Sequence, residues 1–340
     1  MRRPTLHDVA AEAKVSIKTV SRVVNGEDNV SAGVRERVQV AVDKLHYVPN
    51  TLARSLKVGL GDTIGVVMDS IADPFFASLT SAVEATALEA GLNVVFGSTG
   101  FDHGREREQV DRMVMQQVRG LVLAPVRGDH GYLTRYRERV PTVCVDRSIE
   151  IEGYDTVVVD DYGATRHGVE HLIAHGHRRI AFVGGNDRYD TINQRMVGYR
   201  DCLEDAGIGV EERLVSHDDA ETAQAEDAVL RMLEDNPDVT AVFSANTRAS
   251  LGVVHGLHRA RRTDVAMVSF GDFLLAETLE PGVTAIDHDP VAIGEVATAH
   301  LLARLGLGDG PPVPPSQAGE RVVVPTRLIE RGSGEIEVAR

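Results

Sequence analysis

The chain has 340 residues, a net charge of −15 and only two cysteines, Cys144 and Cys202. This length exceeds that of one ordinary domain and is enough for two or three hydrophobic cores. Two thiols in so long a chain exclude a disulfide framework, so we expect both to be reduced in a cytoplasmic protein. No apolar run approaches the roughly 18 residues of a membrane-spanning helix, and we expect neither such a helix nor a signal peptide.

The charge is distributed unevenly along the chain. Residues 1–60 carry ten Lys and Arg against six Asp and Glu, a net +4, which leaves −19 on the remainder. A basic segment can bind phosphates, whereas an acidic body disfavours nonspecific wrapping of nucleic acid. The pattern therefore indicates a nucleic-acid-binding unit at the amino end only.

Two short helices are predicted at the start of this basic segment. Apolar residues recur on one face of each helix, namely Leu6, Val9, Ala10 and Ala13 on the first and Val20, Val23 and Val24 on the second. Thr5 and Ser16 stand at N-cap positions, and Asp8 completes a capping-box spacing with Thr5. Asn25–Gly26 supplies a C-terminal stop. The pattern predicts a helix-turn-helix.

The second of these helices carries side chains suited to reading base edges. Ile17, Lys18 and Arg22 lie opposite the valines, and an arginine can bond bidentately to guanine, worth about 1–3 kcal/mol of discrimination. On a lone helix such residues often face only water, but the whole pattern favours DNA contact. Hydroxyl groups nearby are expected to contact phosphates. The candidate DNA contacts here are Thr5, Ser16, Ile17, Lys18, Thr19, Ser21, Arg22 and Asn25.

A third helix is predicted to start at a Ser31 cap and to end before Pro49. Its expected buried stripe is Val34, Val38, Ala41, Val42 and Leu45. The following segment, NTLARSLK, is too short to be helical alone, because isolated helices below about 12–15 residues are marginal. We expect it to order on DNA beside a second subunit, with Leu56 as a minor-groove wedge; the alternative is a flexible linker. The candidate contacts are Asn50, Ala53, Arg54, Leu56 and Lys57.

From residue 62 onward, β-branched runs alternate with amphipathic stretches. The runs are DTIGVVMD, NVVFGST, GLVLAPV, TVCVDR, RIAFVGG, TAVFSAN and VAMVSFGD. Such runs are typical of buried parallel strands, and their alternation with helices predicts α/β units with right-handed crossovers. Two series of strands predict two lobes, with a ligand site between them at the carboxyl ends of the strands.

The motifs VSIKTVSRVVN and YVPNTLARSL resemble the headpiece and hinge helix of the lactose-repressor (LacI/GalR) family, and the resemblance extends over nearly the full chain. It implies a small all-α helix-turn-helix headpiece and an α/β, periplasmic-binding-protein-like core of two doubly wound parallel-sheet lobes. It also implies a homodimeric regulator of carbohydrate metabolism genes, most simply a repressor, that binds double-stranded operator DNA and has no cofactor. A small-molecule effector, a sugar, sugar acid or sugar phosphate, would control it.

The resemblance also implies domain boundaries. The headpiece would span residues 1–48, and the hinge helix with its linker 49–60. The N-terminal lobe would combine 61–161 with 290–321, and the C-terminal lobe 162–289 with 322–333, leaving a tail at 334–340.

Effector contacts are expected at the strand ends. Arg195 matches the ligand-binding arginine of the family, and Asp146, Arg147 and Asp160 match other pocket positions. Phe75 and Phe76 either offer an aromatic face to a sugar ring or simply pack under the lobe. The candidate effector contacts are Phe75, Phe76, Asp146, Arg147, Asp160, Tyr189, Thr191, Arg195, Asn246, Arg248, Asp272 and Asp289.

Two departures from the family pattern bear on the charge of the ligand. Gly271 stands where the family usually has an aspartate, and Thr247 replaces a second acidic residue with Arg248 beside it. Losing carboxylates and gaining an arginine favours an anionic ligand, because Arg pairs bidentately with carboxylate or phosphate. We therefore expect a sugar acid or sugar phosphate; the alternative is that Asp272 takes over the missing role.

Other functions fit the sequence less well. A sugar-binding protein without a DNA role would lack the headpiece, and a sugar-modifying enzyme would need a nucleophile or an acid–base pair in the cleft. No GxSxG elbow, P-loop or intact GxGxxG motif joins a strand to a helix. His171, His175 and His177 invite a zinc interpretation, but their place at a helix end favours a structural role. We expect no enzyme and no metal.

Overall fold

The computed structural model describes residues 4–24, 29–47, 61–185, 190–217, 221–308 and 319–338. The chain forms two compact units, Met1–Gly61 and Asp62–Arg340. Several predicted residues lie outside the described ranges, namely Asn25, Gly26, Asn50, Ala53, Arg54, Leu56, Lys57 and Tyr189.

The helices and strands are numbered in chain order. The helices are α1 (Leu6–Ala13), α2 (Ile17–Val24), α3 (Ala32–Leu45), α4 (Pro74–Glu89), α5 (His103–Met115), α6 (Asp161–Ala174), α7 (Asp190–Asp205), α8 (Thr222–Asp235), α9 (Thr247–Ala260) and α10 (Pro290–Arg304). The strands are β1 (Thr63–Met68), β2 (Asn93–Ser98), β3 (Leu121–Leu123), β4 (Thr142–Val145), β5 (Asp155–Val159), β6 (Ile180–Val183), β7 (Ala241–Ser244), β8 (Ala266–Phe270), β9 (Thr284–Asp287), β10 (Arg321–Val324) and β11 (Arg327–Ile329).

In the first unit, α1, α2 and α3 share one small core, as predicted. Its buried members are Val9, Ala10, Ala13, Val20, Val23, Val38, Ala41 and Tyr47. Thr5 and Asp8 form the expected capping box at α1. Ser31 occupies the N-cap position of α3 with extended backbone, but its side chain makes no capping hydrogen bond there. The expectation of a side-chain cap at Ser31 is therefore wrong.

The second unit contains two sheets, as the alternation of strands and helices predicts. The first sheet has the order β10-β5-β4-β3-β1-β2, with all its pairings parallel. The second has the order β11-β9-β8-β7-β6, in which only β11 is antiparallel to its neighbour. One buried apolar cluster continues from Ile64 in β1 to Phe243 in β7, so the two lobes share a core.

The chain crosses between the lobes three times, after β5, after β9 and after β10. The third crossing comes later than expected, because residues 321–324 of β10 pair in parallel with 156–159 of β5 in the first sheet. The N-terminal lobe thus includes residues up to Val324, and not only to 321. No helix in the described ranges is both long and apolar enough to cross a membrane. Cys144 and Cys202 are free and buried.

Candidate functional site

A cleft lies between the two lobes at the carboxyl ends of their parallel strands. It contains about 520 Å³ of empty space, part of it open to solvent. Ligands of open α/β sheets bind at such strand ends. The lining residues are Asp69, Asp73, Phe75, Phe76, Phe101, Asp146, Arg147, Thr191, Ile192, Arg195, Asn246, Thr247, Arg248, Phe270 and His288.

Arg147, just after β4, is held by two carboxylates. Its Nη2 donates to Asp69 and its Nε donates to Asp146 Oδ2 at 2.9 Å, while Nη1 donates to the Pro125 carbonyl at 2.9 Å. Asp69 is fully buried and also accepts a hydrogen bond from Thr99 Oγ1 at 3.1 Å. Burial raises the pKa of Asp69, and the attraction of Arg147 opposes this rise. The positive charge of Arg147 is therefore already compensated.

Arg195, on α7, is paired in the same way in the C-terminal lobe. Its Nε donates to Asp161 Oδ1 at 2.8 Å, and its Nη1 donates to the Ala245 carbonyl at 2.7 Å. The guanidinium carbon lies 3.6 Å from the centroid of the Phe270 ring, a cation–π contact. Burial raises the pKa of Asp161 to about 6, although Arg195 opposes the rise. These contacts hold the guanidinium in place where it lines the cleft.

Arg248, at the start of α9, joins the two lobes. Its Nε lies 3.0 Å from Asp73 Oδ2 of the N-terminal lobe, and its Nη1 lies 2.6 Å from Glu221 Oε1 of its own lobe. Its guanidinium carbon is 4.8 Å from the centroid of the Phe101 ring. Asp73 is also the N-cap of α4, where it accepts from the Phe75 amide at 3.0 Å. Arg248 is thus an ion-paired link across the cleft.

The aromatic side of the cleft is partly occupied by the protein itself. The Phe75 ring stacks on His288, with centroids 4.6 Å apart and planes 9° from parallel, and meets Phe76 edge-on at 5.0 Å. Burial, together with the charge of Arg195, lowers the pKa of His288 to about 3. His288 is therefore neutral at physiological pH. One face of the Phe75 ring is covered by His288, so this face packs within the protein and is not open to a sugar ring.

Eight of the twelve predicted effector contacts line the cleft, namely Phe75, Phe76, Asp146, Arg147, Thr191, Arg195, Asn246 and Arg248. Three others do not. Asp160 caps α6 by accepting from the Gly163 amide at 2.9 Å, and Asp289 caps α10 by accepting from the Ala292 amide at 3.0 Å. The two oxygens of Asp272 each accept from Arg331 at 2.6 Å. Tyr189 lies outside the described residues.

Sequence reasoning missed seven lining residues, namely Asp69, Asp73, Phe101, Ile192, Thr247, Phe270 and His288. Asp69 directly follows β1, and His288 directly follows β9, so the rule that ligands bind at strand ends could have found both. The local structure also explains why position 271 is a glycine. Its φ is +97°, and a Cβ there would lie 2.2 Å from Thr247 Oγ1. The local backbone therefore excludes the aspartate that the family usually carries.

The arrangement of charges in the cleft bears on the expectation of an anionic ligand. Each arginine that lines the cleft is ion-paired: Arg147 with Asp69 and Asp146, Arg195 with Asp161, and Arg248 with Asp73 and Glu221. Asp272, the alternative contact, is bound to Arg331 and does not line the cleft. Among the described residues, the cleft therefore offers no uncompensated arginine to a carboxylate or phosphate.

In the first unit, the predicted reading face of α2 is accessible. Ile17 and Lys18 are exposed, and Ser21 and Arg22 are half-buried on the same helix. The hydroxyl groups at the helix starts are engaged locally. Thr5 Oγ1 donates to Asp8 Oδ2 at 2.7 Å, and Ser16 Oγ accepts from the Thr19 amide at 3.1 Å while contacting Thr19 Oγ1 at 2.8 Å. The proton of Thr5 is thus used within the capping box.

Both units match known families. Residues 5–50 match the model described as "Bacterial regulatory proteins, lacI family". Residues 61–302 match "Periplasmic binding proteins and sugar binding domain of LacI family". Among relatives, the "HTH-type transcriptional regulator CelR" of Thermobifida fusca is 34% identical, covering 98% of this chain and 99% of its own. The "Ribose operon repressor" of Escherichia coli (strain K12) is 30% identical, with coverages of 97% and 99%.

Solved structures give the same result. A complex of the transcriptional regulator CelR with cellobiose is 31% identical, with a TM-score of 0.68 and coverages of 97% of this chain and 100% of that one. The Lac repressor dimer bound to operator and the anti-inducer ONPF is 26% identical, with a TM-score of 0.83 and coverages of 98% and 99%. Since both units and nearly the whole length agree, the chain belongs to the LacI family of DNA-binding transcriptional regulators, and it is not an enzyme.

Proposed function

We propose that the cleft binds an uncharged sugar, and that this sugar sets the affinity of the chain for its operator. The observation that carries the proposal is the pairing of Arg147, Arg195 and Arg248 with carboxylates. An anionic ligand would have to compete with these carboxylates for the same guanidinium groups and would face their repulsion. A neutral polyol needs only hydrogen-bond donors and acceptors, which the same ion pairs still supply.

The remaining polar groups of the cleft suit sugar hydroxyls. Asn246 Oδ1 accepts from the Ala249 amide at 2.9 Å, while its buried Nδ2 has no described partner. His288 Nδ1 is buried without a described partner as well. Buried groups of this kind are costly unless a ligand or water satisfies them. The cellobiose complex of the related CelR is consistent with a neutral glucoside, so cellobiose is the first ligand to try.

Calorimetry with the full chain tests the proposal directly. Cellobiose and glucose are compared with gluconate and glucose 6-phosphate, which differ in charge. We expect saturable binding by a neutral sugar, weakened at least tenfold by Arg195→Met, and no binding of either anion. As a matched control, Arg259→Met removes an exposed arginine of α9 that does not line the cleft. Binding of the anions alone would show that the proposed charge of the ligand is wrong.

For the headpiece, we infer that α2 reads the operator. Arg22→Ala should lose preference for the operator over random duplex in gel shifts, because an arginine contact with guanine is worth about 1–3 kcal/mol. Lys44→Ala is a suitable control, since Lys44 lies on α3 and is paired with Glu12 at 2.6 Å. Leu56→Ala should keep base preference but reduce DNA bending. An unchanged bend would contradict the wedge role of Leu56.

We also infer that the regulator acts as a homodimer in the cytoplasm. The resemblance to the operator-bound Lac repressor dimer supports the assembly, and the two free, buried cysteines fit a reducing compartment. Two headpieces in one dimer would contact half-sites about one helical turn apart. Sedimentation with and without a duplex from the chain's own promoter tests this inference, and a monomer bound to a single half-site would contradict it.

A further inference from the structure

We propose that His103, Glu106 and His130 form a binding site for a divalent transition metal, with Zn²⁺ as the probe ion. One donor atom from each residue lies within 4.8 Å of the other two. The site belongs to the N-terminal lobe and is separate from the effector cleft, because none of the three residues lines that cleft. His103 and Glu106 are one turn apart on α5, and His130 comes from the segment between β3 and β4.

The two imidazoles face the carboxylate with nitrogens that have no other role in the described structure. The Nε2 atoms of His103 and His130 are buried and make no hydrogen bond. They lie 3.9 Å and 3.3 Å from Glu106 Oε1. His130 is 6% exposed and Glu106 is completely buried. Two unsatisfied imidazole nitrogens and a buried anion converge on one point, which is the donor set that Zn²⁺ prefers.

The surroundings of Glu106 hold its carboxylate in one orientation through two hydrogen bonds. Its Oε2 accepts from the Val126 amide at 2.5 Å, and its Oε1 accepts from Tyr132 Oη at 2.6 Å. Both partners are neutral donors. A carboxylate that is buried in this way is costly unless a cation pairs with it, and a bound metal would supply that cation.

Binding of an ion requires the donor atoms to contract around it. Donors bound to one zinc at about 2.0–2.1 Å lie roughly 3.3–3.5 Å apart in a tetrahedron. The distance from His130 Nε2 to Glu106 Oε1, 3.3 Å, already falls in this range, the distance from His103 Nε2 is 3.9 Å, and all three donor atoms lie within 4.8 Å of one another. The side chain of His103 is 30% exposed, so the cluster reaches the surface of the lobe on that side. Hydrogen bonds from Val126 and Tyr132 would orient the carboxylate, as outer partners do in zinc sites.

Metal titration of the untagged full chain tests the site. The protein is stripped with a chelator and titrated with ZnCl₂ by calorimetry, and Co²⁺ is used to record the visible spectrum of the bound ion. We expect one Zn²⁺ per chain, with affinity weakened at least tenfold in His130→Ala and in Glu106→Gln. His103→Ala should have the same effect, and it guards against misfolding of the more buried variants because His103 is partly exposed.

His175→Ala is the matched control. His175 lies beside His171, with ring centroids 4.6 Å apart, and His171 contacts Glu335, so this pair is the other place where imidazoles and a carboxylate meet in the described structure. We expect His175→Ala to bind Zn²⁺ like the unmodified chain. The proposal is overturned if the unmodified chain has no saturable site, if His103→Ala and His130→Ala bind normally, or if His175→Ala abolishes binding.

Discussion

The ion pair between Arg248 and Asp73 should stabilise the contact between the lobes. Two unit charges about 4 Å apart attract by roughly 4 kcal/mol at an effective dielectric constant of about 20. Exposed pairs retain about 0–1 kcal/mol of this, whereas breaking a fully buried pair costs about 3–5 kcal/mol. The side chains of Arg248 and Asp73 are 16% and 11% exposed. We therefore expect a coupling free energy of about 1–3 kcal/mol.

A double-mutant cycle measures this coupling. Arg248→Met, Asp73→Asn and the double variant are unfolded in urea together with the unmodified chain. Arg259 and Glu226 give a matched control cycle, because their atoms are also 3.0 Å apart but Arg259 is 70% exposed and both residues lie in one lobe. Its coupling should be below about 1 kcal/mol. A coupling for Arg248 and Asp73 no larger than that of the control would refute the reasoning.

The pH dependence of Arg248→Met gives a second readout with a definite sign. Burial raises the pKa of Asp73, and Arg248 opposes that rise. Without Arg248, the folded-state pKa lies further above the unfolded value, so the stability contributed by protonated Asp73 is lost as the pH rises through the folded pKa. The destabilisation caused by Arg248→Met should therefore grow as the pH rises above the ordinary pKa of an aspartate. It should remain constant with pH when Asp73 is replaced by Asn.

Three further predictions concern stability. Burial lowers the pKa of His288 to about 3, so the stability that its neutral imidazole contributes is present above pH 6.5 and lost as the pH falls. The difference in unfolding free energy between the unmodified chain and His288→Phe should change by about 1.4 kcal/mol per pH unit between pH 6.5 and 4.5. A difference that stays constant with pH would contradict this. Gly271→Ala should cost about 1–3 kcal/mol in urea unfolding, since the backbone has φ +97° and Thr247 Oγ1 leaves no room for a Cβ; an unchanged midpoint would exclude such strain. Thr5→Ala should cost about 1 kcal/mol of stability in the first unit, because it removes the capping box with Asp8. Hydrogen exchange of the α1 amides measures this loss, and unchanged protection would contradict the prediction.

Much of the fold could be predicted from the sequence because its signals are local. Seven of the strands coincide with the seven β-branched runs, and the helix-turn-helix follows from its apolar faces and caps. β5, β9, β10 and β11 are not among these runs. β9 has the sequence TAID, which carries little apolar character, and it is buried because β8 and β11 pair with its two sides. Pairing of this kind depends on distant segments, so a local pattern does not reveal it.

The site was predictable in position but not in every residue. Asp160 and Asp289 were assigned to the ligand, yet both accept amide hydrogen bonds from the residue three positions later. That spacing is a capping signal visible in the sequence. These two carboxylates bind the backbone at the start of their own helices and do not line the cleft, although the capping residues Asp73 and Asn246 do. The neighbouring His288, one position before Asp289, lines the cleft in its place.

The charge of the cleft could not be predicted from residue substitutions, because an arginine changes the local potential only when no carboxylate reaches it. The partners come from distant parts of the chain: Arg147 meets Asp69 across 78 positions, and Arg195 meets Asp161 across 34. Replacing acidic residues at 247 and 271 suggests a positive site if each position is considered alone. In three dimensions the carboxylates that hold these arginines remain, and their pairing turns the same groups into oriented donors and acceptors. The proposed preference for an uncharged ligand therefore rests on contacts between strand ends.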